Sequence, residues 1–467
     1  MSLPDKKTID TSILRAADIR GVAGSALDSE TAGLIGKAFG SVLIRKGITE
    51  IFVGKDGRLS SPELSEALIK GLLSCGLNVI DIGCCSTPML YFASYSVEEC
   101  GGIMVTASHN PKEYNGFKML INRRSFCGDA ITALGGFIER GDFEAGSGTI
   151  RCDDFLTRYI DRLLQDFRPD GKELTVVWDC GNGTAGVVVP ELVRRLPGRH
   201  IVLNEKVDGN FPAHAPDASK IEYLTQLRQT VLKEKADLGL AFDGDSDRLG
   251  VIDAEGEMLQ ADRLLTIFAE DILKTRPDAV FIADVKSSKV FSDEIKRLGG
   301  TPLFWKTGHS FIKLKMQETG SPLGGEMSGH ICFADKYFGY DDGLYAAVRL
   351  LDIAAHWQGE NFQKRIRRIP KTCATPEIQI PCPDSQKFRH IEEIKAKLKE
   401  NGLFYDDTDG IKMVFPSSGW GLIRASNTSP CLIVRCEADT QKELEQIKKI
   451  LFQKINDVYP IEIKDFF

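Results

Sequence analysis

Apolar strand segments and periodic helical segments alternate along most of the chain, and one order of elements occurs three times. Each occurrence opens with a strand and a turn, at residues 50–56, 174–179 and 279–284, and continues through a helix into a second strand. A helical crossover of this kind joins parallel strands of one sheet. The repetition predicts three related α/β units with parallel or mixed sheets, and similar units assembled together would share a central cleft.

The residues after the third unit follow a different pattern. Their predicted elements are an alternating strand at 378–380, a charged helix at 391–400, strands at 410–415 and 431–437, and a closing helix at 442–458. We interpret this part as a C-terminal α+β domain. The chain is therefore predicted to contain four domains, at residues 1–153, 154–257, 258–370 and 371–467.

The composition is that of a globular protein and argues against two classes of function. The 467 residues are 42% hydrophobic and 27% charged, with a formal net charge of -7. Because no basic stripe is present, we expect no nucleic-acid partner. We also expect no membrane contact and a cytoplasmic location, because no apolar signal segment opens the chain and no run reaches about 18 to 20 apolar residues. The twelve cysteines are then expected to be reduced thiols.

The first candidate for chemistry is a serine at the end of an apolar segment. Residues 102–107 predict a short buried strand, and Ser108 follows it in a turn that ends at Pro111. Ligands of open α/β sheets bind beyond the carboxyl ends of the strands. Ser108 is therefore a candidate nucleophile with His109 beside it, although a turn with only local hydrogen bonds remains an alternative.

The second candidate is an acidic loop after another apolar run. Asp243, Asp245 and Asp247 alternate within it, and their mutual repulsion favours a bound cation. An all-oxygen ligand set favours Mg²⁺. A calcium-binding EF-hand would need glycine and glutamate where Arg248 and Ala254 stand, so that interpretation is disfavoured. A surface turn rich in aspartate remains the alternative.

Two further loops carry groups suited to a sugar phosphate. Glu326, Ser328 and His330 lie among glycines and offer a carboxylate, a hydroxyl and an imidazole for sugar hydroxyls. Arg424 and Ser426 offer a guanidinium fork and a hydroxyl for a phosphate. Each loop alone is a weak signal, because turns rich in glycine and serine are common.

Taken together, the four loops carry a resemblance to a known family. TASHNP, DGDSDR, GEMSGH and RASNTSP, in this order and at these separations, resemble the signature loops of the α-D-phosphohexomutases. The GEMSGH form is most similar to the phosphomannomutase/phosphoglucomutase branch. The resemblance extends from about residue 19 into the last domain. It implies a phosphoserine that transfers its phosphoryl group to a sugar monophosphate, a hexose 1,6-bisphosphate intermediate that also activates the enzyme, and Mg²⁺ as cofactor.

The resemblance also implies roles for individual residues. The expected catalytic residues are Ser108, His109, Arg20, Lys118, Arg248 and His309. The expected substrate-binding residues are Lys286, Thr307, Gly308, Glu326, Met327, Ser328, Gly329, His330, Arg424, Ser426, Asn427 and Thr428. The expected metal ligands are Ser108, Asp243, Asp245 and Asp247. From the residues alone, Arg20 is equally consistent with a surface turn, and Arg248 with an ion pair to Asp247.

The expected partners are hexose phosphates, bound by a monomer or weak homo-oligomer. Glucose and mannose differ only at C2, so a site that binds O3 and O4 through Glu326 and Ser328 would accept both. Phosphoglucosamine mutase is an alternative, although that group usually has another residue at Met327. A catalytically silent sugar-phosphate binding protein is a second alternative, against which the intact Ser108 argues.

Overall fold

The structure, a computed structural model, describes residues 8–358, 361–416, 419–426 and 429–462. These residues form four sheets, three of them mixed and the last one antiparallel. The predicted architecture of three α/β units followed by an α+β domain is confirmed. Within the described ranges, no helix combines the length and the apolar character that crossing a membrane requires.

The first domain contains a seven-stranded sheet in the order β1-β5-β4-β2-β3-β7, with β6 paired to β5. Its strands are β1 (Ile19–Val22), β2 (Glu50–Lys55), β3 (Asn78–Cys84), β4 (Gly101–Val105), β5 (Tyr114–Ile121), β6 (Arg124–Ser125) and β7 (Ile150–Cys152). Its helices are α1 (Ser29–Arg45), α2 (Ser61–Leu73), α3 (Thr87–Tyr95) and α4 (Asp129–Arg140). Parallel pairing of β2 with β3 and β4 is the arrangement predicted from the helical crossover.

The second domain contains a five-stranded sheet in the order β12-β11-β10-β8-β9. Its elements are α5 (Leu156–Leu164), β8 (Thr175–Asp179), α6 (Ala185–Val193), β9 (Arg199–Leu203), α7 (Thr225–Glu234), β10 (Leu238–Phe242), β11 (Leu249–Asp253) and β12 (Met258–Leu259). The predicted boundary after residue 257 falls directly before β12, which pairs with β11 in this sheet.

The third domain contains a four-stranded sheet in the order β14-β13-β15-β16. Its elements are α8 (Ala261–Leu273), β13 (Val280–Asp284), α9 (Lys289–Arg297), β14 (Thr301–Trp305), α10 (His309–Thr319), β15 (Leu323–Gly325), β16 (Ile331–Phe333), α11 (Gly343–Ala355) and α12 (Phe362–Arg367). One apolar cluster includes Phe52, Trp178 and Phe281, which lie on the equivalent strands β2, β8 and β13. The first three domains therefore pack through a continuous core.

The fourth domain has its own apolar core. Its elements are β17 (Cys373–Ala374), β18 (Ile378–Pro381), α13 (Asp384–Glu400), β19 (Ile411–Val414), β20 (Trp420–Ala425), β21 (Cys431–Ala438) and α14 (Gln441–Asn456). The helix predicted at 391–400 begins at Asp384 instead. Its first two turns are mostly exposed and polar, so they lack the apolar periodicity that marks a helix in sequence.

Candidate active site

Ser108 lies three residues beyond the end of β4 and points at the acidic loop. Its Oγ donates a hydrogen bond to Asp243 Oδ2 at 2.6 Å, and its side chain is almost fully buried. The backbone of Ser108 has a φ of 52°, in the left-handed region. A residue other than glycine in that region costs on the order of 1 kcal/mol and persists only where its surroundings hold it. The loop is therefore held in a conformation that aims the hydroxyl.

The acidic loop follows β10, and its three carboxylates converge. One oxygen each of Asp243, Asp245 and Asp247 lies within 4.8 Å of the others, and all three residues are fully buried. Among the described residues, Asp245 Oδ1 and Asp247 Oδ1 are buried without a hydrogen-bond partner. Buried, unpaired carboxylate oxygens in an all-oxygen set are what a hard divalent cation such as Mg²⁺ requires. The residues present therefore fit the expected metal.

Two cations also contact these carboxylates. Lys118, on β5, donates to Asp245 Oδ2 at 2.6 Å and to Asp247 Oδ2. Burial lowers the pKa of Lys118, but the attraction of the carboxylates outweighs burial, so the pKa is raised and the ammonium stays charged. Arg248 donates its backbone N–H to Asp243 Oδ1 at 3.2 Å, and its Nε lies 3.8 Å from Asp243 Oδ2. Its carboxylate neighbour is therefore Asp243, where the sequence had suggested Asp247.

The charges of the three carboxylates are not equally stabilised. Burial and the neighbouring Asp247 and Asp245 raise the pKa of Asp243 well above its usual value. Burial also acts to raise the pKa of Asp245, but Lys118 outweighs burial, and the pKa of Asp245 is lowered. Asp243 therefore gains more from a bound cation than Asp245 does, and it is the carboxylate that Ser108 contacts.

His330 and His309 lie side by side on one carboxylate. Their rings stack at 4.8 Å, and the Nδ1 atom of each lies 2.9 Å from Asp341 Oδ2. Arg248 Nε donates to His330 Nε2 at 3.0 Å, so a neutral His330 carries its proton on Nδ1, beside Asp341. Lys313 completes the cluster, with Nζ 2.7 Å from Asp341 Oδ1. Burial lowers the pKa of His309 although Asp341 opposes the effect.

The same histidines also belong to a second group of potential metal ligands. Ligand atoms of Asp247, His309, His330 and Asp341 all lie within 4.8 Å of one another. The imidazole planes differ by only 15°, however, so their in-plane lone pairs do not converge on one point. Metal ligation needs convergent lone pairs, so this group suits a metal less well than the three aspartates of the acidic loop.

His109 and Arg20 lie next to Ser108 and its loop. His109 Nδ1 is 3.3 Å from Ser108 Oγ. Burial and the positive charges of Arg248 and Arg20 hold the pKa of His109 well below its usual value, so its imidazole stays neutral. Arg20, on β1, donates to the side chains of Asn110 and Asp18 and thereby faces the serine loop.

The residues expected to bind the sugar surround the start of α10. Glu326 Oε1 accepts the backbone N–H of Gly308 at 2.6 Å. Met327 donates its N–H to Asp284 Oδ1 at 3.3 Å, Ser328 is partly exposed in the turn between β15 and β16, and Gly329 takes a φ of 99°. The turn is therefore fixed against the third sheet while Ser328 remains accessible.

The residues expected to bind phosphate are paired with carboxylates of the fourth domain. Arg424 is buried, and its Nε lies 3.0 Å from Asp409 Oδ2, which also accepts the backbone N–H of Thr307 at 2.9 Å. Lys286 Nζ lies 2.6 Å from Glu377 Oε1. Ser426 is buried, and its Oγ accepts the N–H of Ser429 at 3.1 Å. Asn427 and Thr428 lie outside the described residues.

Five residues of this region were not singled out from the sequence. They are Arg58, Lys313, Asp341, Glu377 and Asp409. Asp409 precedes a glycine and Asp341 precedes a helix N-cap, so each carries only a turn or cap signal. Their partners lie far away in sequence, which no local pattern reveals.

The geometry combines a positioned hydroxyl, a cation site, neutral imidazoles and buried cations, as a phosphoryl-transfer site requires.

Family models match the chain in the same order as its four sheets. They are the phosphoglucomutase/phosphomannomutase alpha/beta/alpha domains I, II and III and the C-terminal domain, at residues 11–142, 157–256, 260–373 and 377–454.

Individual relatives match over almost the whole chain. The phosphomannomutase/phosphoglucomutase of Pseudomonas aeruginosa is 44% identical over 458 residues, covering 98% of each chain. The phosphoglucomutase of Neisseria gonorrhoeae is 42% identical, covering 94% of this chain and 96% of that protein. A solved structure of a phosphoglucomutase/phosphomannomutase family protein from Burkholderia thailandensis is 39% identical, with a TM-score of 0.90 over 97% of this chain and 99% of that one. The chain therefore belongs to the phosphoglucomutase/phosphomannomutase family.

Proposed function

We propose that this enzyme interconverts the 1-phosphate and 6-phosphate of mannose, glucose or both, with Ser108 as the phosphoryl carrier. The observation that carries the proposal is the 2.6 Å contact between Ser108 Oγ and Asp243, within a carboxylate set that has unpaired oxygens. The names of the relatives support the hexose phosphate class.

Each half-reaction moves one phosphoryl group. The phosphoserine at Ser108 loses its phosphoryl group to the free hydroxyl of the sugar monophosphate. In each half-reaction the proton of the attacking hydroxyl passes to a base of the site, and the oxygen that leaves phosphorus takes up a proton. The resulting hexose 1,6-bisphosphate turns end for end, and the Ser108 oxygen then takes the other phosphoryl group. The serine phosphate is thus regenerated, and no phosphate is lost.

The acidic loop and its cations have distinct roles in this scheme. Asp243, Asp245 and Asp247, with an oxygen of phosphorylated Ser108, would hold Mg²⁺. When bound, the ion neutralises negative charge that develops during in-line transfer of the phosphoryl group. Lys118 pairs with Asp245 and Asp247 and balances part of their charge.

Proton transfer and charge stabilisation fall to the residues around the serine. His109 and His309, both with lowered pKa values, are neutral bases, and His330 carries its proton beside Asp341. Arg20 and Arg248 flank the serine and acidic loops with permanent positive charge.

Substrate binding is assigned to the third and fourth domains. Glu326 and Ser328 would bind sugar hydroxyls common to glucose and mannose. Arg424 and Ser426 would bind the phosphate that is not reacting, because a guanidinium fork matches phosphate geometry. The remaining proposed contacts are Lys286, Thr307, Gly308, Met327, Gly329, His330, Asn427 and Thr428.

The test is a coupled assay with the 1-phosphates of glucose, mannose and glucosamine side by side, with Mg²⁺ and a trace of hexose 1,6-bisphosphate. We expect turnover of glucose or mannose 1-phosphate and none with Ser108→Ala. Preference for glucosamine 1-phosphate would favour phosphoglucosamine mutase, and no turnover of any of the three would indicate a binding protein.

We also propose that the protein is cytoplasmic and is a monomer or weak homo-oligomer.

A further inference from the structure

Arg58 lies outside the four signature loops, between β2 and α2, yet its guanidinium sits beneath the serine loop. The side chain is almost fully buried. All five of its N–H donors are used: Nε donates to Asp56 Oδ2 at 3.1 Å, Nη1 to the carbonyls of Pro111 at 2.7 Å and Tyr114 at 3.1 Å, and Nη2 to those of Ser108 and Asn110 at 2.7 Å each. Four of the five donors therefore bind backbone carbonyl oxygens of residues 108–114.

Asp56 balances the buried positive charge of Arg58 and is also connected to Ser108 through Thr106. Its Oδ2 accepts the hydroxyl of Thr106 at 2.7 Å, and Thr106 Oγ1 accepts the backbone N–H of Ser108 at 2.9 Å. Both the N–H and the carbonyl of Ser108 are thus held by the same ion pair. Buried ion pairs with complete hydrogen bonding fix one geometry, which is what a positioned nucleophile requires.

The conformation of the serine loop creates a need for such a cation. Four carbonyl oxygens of the loop point at one guanidinium, and they would repel one another if it were absent. The Pro111 oxygen also accepts the N–H of Tyr114 at 3.0 Å. Ser108 also has left-handed backbone geometry, which its surroundings must enforce. The loop packs tightly against the acidic loop as well, because a Cβ at Gly244 would lie 2.5 Å from the Ser108 carbonyl oxygen.

We propose that Arg58 is the positioning residue of Ser108: it holds the serine loop in the one conformation in which Oγ faces Asp243. Arg58 does not contact the reacting atoms, and its effect on activity rests on the proposed function. The loop conformation itself does not depend on which reaction the protein catalyses.

The main variant is Arg58→Met, which keeps much of the side-chain volume and removes every donor. Displacement of a nucleophile by about 1 Å costs about a hundredfold in rate. We therefore expect kcat and the rate of Ser108 phosphorylation by hexose 1,6-bisphosphate to fall about a hundredfold, with KM changed by less than about threefold. Arg58→Lys keeps the charge but loses the fork, and should recover only part of the rate.

The matched control is Arg349→Met on α11. Arg349 is also buried, with Nη1 3.0 Å and 3.1 Å from the carboxylate oxygens of Asp335, which lies in none of the four loops. Its loss should lower the melting temperature comparably while kcat stays within about threefold of wild type. Equal losses of kcat in Arg349→Met and Arg58→Met would overturn the proposal, because Arg58 would then act only through stability.

Hydrogen exchange of the backbone amides gives a readout independent of turnover. Amides of residues 106–116 should exchange faster in Arg58→Met, or in Arg58→Lys if the first variant does not fold, and at the wild-type rate in Arg349→Met. Unchanged exchange in that segment would refute the positioning role. If wild-type Ser108 accepts no phosphoryl group, the proposed function fails, and the exchange experiment still decides the role of Arg58.

Discussion

The unequal pKa values of the acidic loop predict that two isosteric substitutions shift stability in opposite directions when Mg²⁺ is absent. Asp243→Asn removes the charge that burial and its neighbours destabilise. Asp245→Asn removes the charge that Lys118 stabilises. We therefore expect Asp243→Asn to unfold at a higher temperature than the wild type in EDTA, and Asp245→Asn at a lower one. Both should lose activity.

The size of the Asp243 effect follows from distances. Carboxylate charges within 4.8 Å repel by about 3.5 kcal/mol per pair at an effective dielectric constant of about 20, and Asp243 takes part in two such pairs. Its attraction to Arg248 Nε at 3.8 Å is worth about 4 kcal/mol on the same scale. The variant also avoids the cost of burying the Asp243 charge, but it loses the attraction of that charge to Lys118. We therefore expect the free energy of unfolding of Asp243→Asn to exceed that of the wild type by about 2 kcal/mol.

The pH dependence of this gain has a defined sign. Because the folded-state pKa of Asp243 is raised, the wild type loses stability as pH rises from the unfolded-state value of about 4 through the folded-state value. The advantage of Asp243→Asn should grow over that interval and be complete above it. At lower pH, where Asp243 is protonated in both states, the advantage should vanish.

Asp245→Asn supplies the matched comparison. Lys118 loses the partner at 2.6 Å and retains Asp247. Breaking a buried pair completely costs about 3–5 kcal/mol, so a partial loss should cost about 2 kcal/mol. For a cooperative unit of 150–250 residues, about 2 kcal/mol corresponds to roughly 4 to 8 °C.

Thermal unfolding in EDTA and in saturating Mg²⁺, near neutral pH, measures both effects. Mg²⁺ should raise the melting temperature of the wild type by more than that of either variant. Shifts of the same sign for the two variants in EDTA would show that charge repulsion does not dominate this loop.

Three other substitutions test separate parts of the site. Ser108→Ala should abolish turnover and the mass increment of one phosphate in intact-mass spectrometry, and retained full activity would exclude Ser108 as carrier. Arg424→Ala should raise KM for 1- and 6-phosphates alike by about ten- to a hundredfold, since a charge-assisted contact is worth about 1.5–3 kcal/mol, while Ser108 is still phosphorylated. An effect in one direction only would contradict a shared phosphate site. Burial raises the pKa of Asp284 to about 6, so wild-type stability should fall as pH rises from about 4 to 6, and Asp284→Asn should lack this slope in melts across that range.

The fold was predictable because its signal is local and repeated. Each α/β unit opens with an apolar strand followed by a helix, and that order occurs three times in the sequence. The loops that carry chemistry were recognisable for the same reason, because Ser108 and the three aspartates directly follow apolar strands. The roles assigned to individual residues remain predictions that the experiments above address.

The partners of those residues were not predictable, because many are distant in sequence and the nearer ones depend on how a turn or strand pair folds. Arg58 reaches the carbonyl of Ser108 across 50 positions, and Arg424 meets Asp409 across a strand pair of the fourth domain. The choice between Asp243 and Asp247 as neighbour of Arg248 also depends on how the acidic turn folds. Local sequence patterns indicate which functional groups a loop carries, whereas tertiary packing determines which of these groups contact one another.

The contacts that complete the site cross the domain boundaries. Lys118 of the first domain neutralises carboxylates of the second, Arg248 of the second fixes the proton of His330 in the third, and Asp409 of the fourth accepts the N–H of Thr307 in the third. Lys118 and its two carboxylates therefore come from different domains, whereas Arg248 with Asp243 and Arg424 with Asp409 pair within one domain. Separating the first two domains would break the buried ion pairs of Lys118 and leave Asp245 and Asp247 without this counter-charge. The contacts of Lys118, Arg248 and Asp409 thus favour the assembled cleft over its separated parts, because each of them exists only when the two domains that it joins are together.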